Sequence, residues 1–309
     1  MPPTQTSNEI RLGILGRAQR DNKVELCHFV DMNNHSHSMA VSITSENLSK
    51  FYMELKKKTT DAVKALLGLS TLSLWEDRTG VFRIATLEDA ISRVVYIYCN
   101  PSNAGLCDSI DEYTGLSSWT AFQECAPSIN AEVTIEARWY PVSEIPQLPS
   151  GRSLSPRQDA ALYKQLKSSE NAVEHPIVLK PFKWLETFGV IEPQEIEKIR
   201  QRIIKCVRDT ERANVLARAK SNTPKCSPSA LRQAYFMKPH IPKRKERKIF
   251  LICSDKELRL GLLQSFRRTL SRCRECYQKA KAGIRVEWPP GTFIPWFPPG
   301  FVFPLPAQA

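Results

Sequence analysis

The sequence predicts an α+β fold, on three observations. Two short apolar runs near the N-terminus read as strands separated by a turn signal, amphipathic helical patterns flank them, and the second half turns helical and basic. Of 309 residues, 42% are apolar and 25% charged, which suffices to bury a core and is too apolar for a disordered tail. A helix is expected over 9–23 and a strand over 24–32. Asn33-Asn34 marks a turn, and a second strand is expected over 35–43. Residues 45–67 carry a helical pattern with a basic patch at Lys56, Lys57 and Lys58. The next helix begins near Leu87 with Thr86 as its N-cap and Asp89 three residues on, close to a capping box, and is expected to stop at Pro101. Residues 131–139 alternate like a strand.

Prolines 141, 146, 149 and 156, with Gly151 and several serines, make 141–157 the candidate linker. The expected organisation is therefore a first domain over 1–140, the linker, and a basic, mainly helical extension over 158–309. Long charged helices are expected over 193–220 and 254–281. The second opens with a Ser254/Glu257 capping box, closes at Gly283, and carries an apolar stripe of Leu258, Leu262, Phe266, Leu270, Cys273 and Tyr277. The tail repeats itself: Trp288-Pro-Pro-Gly is echoed by Phe297-Pro-Pro-Gly. Proline fixes φ, so this segment reads as a stiff, extended strap or a platform on which unpaired bases stack.

The formal charge is +12, unevenly spread: residues 151–309 carry 31 Lys+Arg against 14 Asp+Glu, and residues 1–150 carry 13 against 18. A basic half joined to a mildly acidic one points to a polyanion held by the C-terminal part. No run approaches the ~18 uncharged apolar residues of a membrane span, and the start lacks a secretory pattern. Nine cysteines without framework spacing then read as reduced thiols in a cytoplasmic, nucleoid-associated protein. Cys273-Arg-Glu-Cys276, with Cys253 and His240, offers half a zinc site, but no second pair stands at ribbon or finger spacing.

His35-Ser36-His37 on a strand puts both imidazoles on one face, as two ligands of one divalent metal must be. On the helix that follows, Tyr96 and Asn100 stand four apart and share a face. Asn100 offers a carbonyl oxygen as a third ligand. Tyr96 offers a phenol, ordinarily a poor nucleophile near neutral pH, which attacks well only a phosphate polarised by a cation. Tyr98 faces away and reads as a core aromatic; Cys27 reads as a packing residue, and His28 points the other way with no role assigned.

The stretch F-V-D-M-N-N-H-S-H-S-M-A-V (29–41) resembles the metal-binding strand of single-tyrosine HUH transposases, especially REP-associated tyrosine transposases. The resemblance continues through Trp75-Glu-Asp-Arg78, through V-Y-I-Y-C-N-P-S-N-A-G-L (95–106) and through Y-T-G-L-S-S-W (113–119). It covers residues 10–122, with a weaker match over 248–293. It implies a ferredoxin-like domain with an antiparallel sheet, His35, His37 and Asn100 as ligands of Mg²⁺ or Mn²⁺, and Tyr96 as a nucleophile. The activity it implies is a strand transfer on single-stranded DNA hairpins through a 5′-phosphotyrosine link, with no ATP required. The hairpin grip falls to the basic half, through Arg259, Arg267, Arg268, Arg272 and Arg274. Arg78 is taken as a phosphate contact, the other reading being a pair with Glu76 or Asp77. Whether the protein acts as a monomer or a homodimer is open at this level.

Three positions depart from the family pattern. Ser36 takes a place usually bulky and hydrophobic; facing the core, it would forfeit ~1–2 kcal/mol of burial. Asn33 replaces a usual proline. Residues 1–8 are polar where the family places a first strand beside the metal strand, so that strand is expected at an open edge. The alternative reading is a DNA-binding remnant that holds hairpins without cleaving.

Overall fold

The computed structural model describes residues 1–75, 80–148, 153–236, 251–290 and 292. The chain is α+β, with helix predominating over a small mixed sheet, and it divides into two compact units, 1–250 and 251–309. The sequence places its division at 141–157 instead.

In the first unit the elements run α1 (Gln5–Asn22), β1 (Glu25–Asp31), β2 (Ser36–Val41), α2 (Ser45–Leu67), β3 (Arg83–Ile84), α3 (Leu87–Asn103), α4 (Trp119–Glu124), β4 (Val133–Ile135), β5 (Arg138–Trp139), α5 (Pro156–Lys167), β6 (Val173–Glu174), β7 (Ile177–Leu179), α6 (Pro193–Lys220) and α7 (Pro228–Arg232). The main sheet has the order β2-β1-β7-β4. Here the expectation of an antiparallel sheet is corrected: β2 and β4 pair antiparallel with their neighbours, but β7 runs parallel to β1. The physical reason is the long crossover, some 150 residues, that returns the chain to β1 in the same direction. The strand expected over 131–139 splits, with β4 in the main sheet and β5 paired to β6 in a two-stranded ribbon.

β1 is buried from Leu26 to Val30 because both of its faces are covered. Leu26 and Phe29 enter a core with Leu15 and Ala18 of α1 and Phe51 of α2. Cys27 and Val30 enter another with Val94, Tyr98 and Cys99 of α3 and Ile203 and Val207 of α6. An extra residue at Cys27, where the register passes from Leu26↔Ala40 to His28↔Met39, bulges the strand. On β2 the side chains alternate. Met39 packs into the α3 core, whereas Ser38 shares a hydrogen bond of 2.8 Å with the Tyr52 hydroxyl of α2. α1 approaches the ribbon so closely that a Cβ on Gly13 would collide with the Arg138 carbonyl oxygen, and one on Gly16 with that of His175.

α2 and α6 fall where the periodicity places them. α3 opens as expected, the Thr86 side chain accepting from the Asp89 backbone N–H. It does not stop at Pro101. Proline removes only its own N–H, and in the last turn the remaining carbonyls are closed by Ala104 N–H to Asn100 (3.0 Å) and Leu106 N–H to Pro101 (2.9 Å). The described part of 141–157 is packed rather than loose: Ile145, Leu148 and Leu154 are buried, and the Leu148 N–H bonds the Leu66 carbonyl.

The second unit contains β8 (Leu251–Ile252) and α8 (Lys256–Lys281). Asp255, not Ser254, caps α8, accepting from the Leu258 N–H at 2.7 Å. Cys276 and Ala280 are its buried residues, while Leu258 and Leu270 of the expected apolar stripe are partly exposed. The chain reverses at Gly283, whose φ is 78°. Most of the tail repeat lies outside the described residues. Among those described, no helix is long and apolar enough to cross a membrane.

Candidate active site

Three of the four motif stretches meet at one end of β1. The β1–β2 turn is closed by the Met32 N–H bonded to the His35 carbonyl at 2.8 Å. Residues 113–119 lie against the last residues of β1: Asp31 N–H bonds the Leu116 carbonyl (2.8 Å), Ser118 N–H the Phe29 carbonyl (3.0 Å), and the Tyr113 hydroxyl the Asp31 carbonyl (2.7 Å). The 95–106 motif is the second half of α3, packed on β1. The remaining stretch is mostly outside the described residues, Arg78 included. Its Trp75 is described, and its indole N–H donates to the Lys56 carbonyl.

α3 presents different residues to its two sides. Tyr98 is fully buried, whereas Tyr96 is 42% exposed. The ring centroids of His35 and His37 are 4.9 Å apart at 77°, and those of His37 and Tyr96 are 5.3 Å apart at 76°. The β2 alternation and the α3 spacing therefore bring His35, His37 and Tyr96 together. Asn100 lies one turn beyond Tyr96 and is buried. Ser36, between the histidines, is exposed, which corrects the expectation that it faces the core: no burial is forfeited there.

On β2 and α3, His37 Nε2 and Asn100 Nδ2 are buried without a hydrogen-bond partner, as are Asn33 Oδ1 in the β1–β2 turn and Thr114 Oγ1 in the 113–119 stretch. Buried groups left so are uncommon and mark places where something else completes the coordination. The Asn34 side-chain oxygen lies 2.7 Å from His35 Nδ1. That oxygen accepts, so Nδ1 carries a proton. Burial, then the fields of His35 and Arg93, push the His37 pKa down to about 4, so its imidazole is neutral near pH 7, as a metal ligand must be. The carboxamide of Asn100 presents its oxygen in place of its nitrogen by a half-turn. No three His, Cys, Asp or Glu side chains gather as around a metal among the described residues, at this site or near Cys273 and Cys276. His37 Nε2 and, after its half-turn, the Asn100 carboxamide oxygen are neutral donors, of the kind a divalent cation takes alongside phosphate oxygen.

One residue at this site was missed from the sequence. The Arg93 guanidinium lies 5.4 Å from the centroid of the Tyr96 ring and acts electrostatically on His37. The signal was available, since positions 93 and 96 are three apart on one helix. Behind β1, Arg11 forms an ion pair with Asp31. Arg259, Arg267, Arg268, Arg272 and Arg274 are all exposed on α8. Arg268 and Arg272 are four apart, and Arg267 and Arg274 seven apart, so each pair shares a helix face.

Comparison of the chain with protein-family models, with curated proteins and with solved structures gives no match.

Proposed function

We propose that this protein is a single-strand DNA endonuclease and strand transferase of the transposase type, with Tyr96 as nucleophile. The observation that carries the reading is the packing of His37 between the rings of His35 and Tyr96, with its own Nε2 buried and unpartnered. A purely structural histidine satisfies both nitrogens; this one keeps a lone pair available beside an exposed phenol.

His35, His37 and Asn100 would hold Mg²⁺ or Mn²⁺, which supplies Lewis-acid polarisation of a phosphodiester oxygen. Tyr96 lies at the rim, where a strand end reaches it. Its oxygen forms a bond to phosphorus as the bond from phosphorus to the 3′-oxygen breaks. The phenolic proton passes to solvent, and the departing 3′-oxygen takes a proton from solvent. The bond energy is kept in the 5′-phosphotyrosine link, so the released 3′-OH rejoins strands by the reverse displacement, without ATP. The exposed arginines of α8 would grip hairpin phosphates, giving affinity with a steep salt dependence. A ferredoxin-like ancestry for the sheet belongs to the same proposal.

The second reading, a hairpin-binding protein that does not cleave, draws on β2, whose strand partner among the described residues is β1 alone. One experiment separates the two. Labelled hairpin single strands from repeats flanking the gene are incubated with protein and Mn²⁺ and resolved on a denaturing gel. A covalent adduct that disappears with Tyr96→Phe and with chelator is the expected result. Binding without adduct would leave the second reading standing.

A further inference from the structure

Among the arginines of α3 and α6, Arg93 is the exception in charge pairing. On α6, Arg202 pairs with Glu88, Arg200 with Glu197, Arg208 with Asp111 and Glu211, Arg212 with Asp209, and Arg218 with Asp108. Arg93 forms no ion pair with a carboxylate among the described residues. Its guanidinium rests by the Tyr96 ring at 5.4 Å instead, half-buried, and its field reaches His37. The charged groups around the cluster are few. His37 comes from β2, His35 from the turn just before it, and Arg93 from α3. Asp31, the carboxylate whose interaction with His35 is felt, is itself held by Arg11. The corner beside Tyr96 is thus positive, with no carboxylate paired to Arg93 among the described residues, and the His37 Nε2 buried there has no hydrogen-bond partner.

A fixed cation without a counter-ion is costly in a half-buried place unless an anion arrives there. We propose that Arg93 is a catalytic residue that binds the non-bridging oxygens of the phosphodiester attacked by Tyr96. The inference rests on the strand-transfer reading and adds to it a second positive contact, supplied by the chain itself. Guanidinium suits this role because its fork matches two phosphate oxygens at once. Position 93 also places that fork on the helix face that carries the nucleophile. In attack, charge grows on the equatorial oxygens, and a donor already aimed there needs no reorganisation. The ring contact holds the side chain in place before the strand arrives.

The test has two readouts. On a Tyr96→Phe background, where no covalent step occurs, a fluorescein-labelled single strand from the flanking repeats is titrated with Mn²⁺ at several salt concentrations. Adding Arg93→Gln is expected to reduce the log–log salt slope by about 0.7, one phosphate contact, and Arg93→Lys to keep it. Equal slopes for the Gln variant and its parent would overturn the proposal. With Tyr96 restored, Arg93→Gln is expected to slow adduct formation by roughly 10²–10³-fold, with Mn²⁺ affinity by calorimetry unchanged and partial recovery in Arg93→Lys. Adduct formed by Arg93→Gln at the wild-type rate overturns the role of Arg93 while the strand-transfer reading stands. A wild-type protein that forms no adduct sinks that reading, and the salt slope still decides whether Arg93 meets phosphate. Failure of the Tyr96→Phe protein to bind the strand at all overturns both.

Discussion

Two histidine–tyrosine pairs stand on opposite sides of α3, and they differ in how completely they are satisfied. Behind the helix, His28 and Tyr98 are fully buried. The Trp184 indole N–H donates to His28 Nε2 at 3.0 Å. His28 Nδ1 then donates to the Tyr98 oxygen at 2.7 Å, and Tyr98 passes the chain on to Ser118 at 3.0 Å. Phe122 closes the aromatic box edge-on. In front of the helix, His37 and Tyr96 make the same edge-to-face contact, yet the His37 Nε2 is orphaned and Tyr96 is open. Burial lowers both histidines, to about 3 for His28 and about 4 for His37. A depressed histidine alone therefore does not separate scaffold from site; the unspent lone pair does.

The sharpest break of this comparison is Tyr96→Phe, which should abolish the DNA adduct entirely while leaving the urea midpoint unchanged. Its counterpart, Tyr98→Phe, should do the reverse. It strands the His28 N–H in the core, costing about 1–3 kcal/mol in urea denaturation, with adduct formation intact. Acid should tell the back pair apart next. His28 titrates near 6.5 in the unfolded chain and near 3 in the fold. Its contribution is whole above pH 6.5. Between those values only the unfolded chain takes up the proton, so the folding constant falls about tenfold for each pH unit of acidification. At pH 5.5 the wild type should have lost about tenfold more than His28→Gln, read from paired urea melts; equal losses would remove His28 as the cause. The smallest effect should come from Ser36→Ala, within about 0.5 kcal/mol, because Ser36 is exposed.

Long periodic helices were legible: α2 and α6 begin and end where the pattern puts them, and the parity of β2 correctly sets His35 and His37 to one side. Parity does not carry depth, and so Ser36 was read as inward when it is outward. β7 was invisible because three residues, Ile177–Leu179, give no period, and what makes them a strand is a partner far away in sequence. The same long-range packing holds the described part of 141–157, where Ile145, Leu148 and Leu154 join a buried cluster while Val142 stays exposed. Arg93 escaped notice because an arginine on a helix is ordinary until its missing counter-ion is seen.

The pairing of Leu26 with Leu179 has a consequence on the ribosome. β1 carries the corner of the site, yet one flank of it stays open until the chain has grown some 150 residues further. At ordinary elongation rates of about 5–20 residues per second, that wait is roughly 8–30 s. For that time the nascent protein holds an apolar strand without its neighbour, and the histidine pair cannot acquire its final setting before β7 has been made.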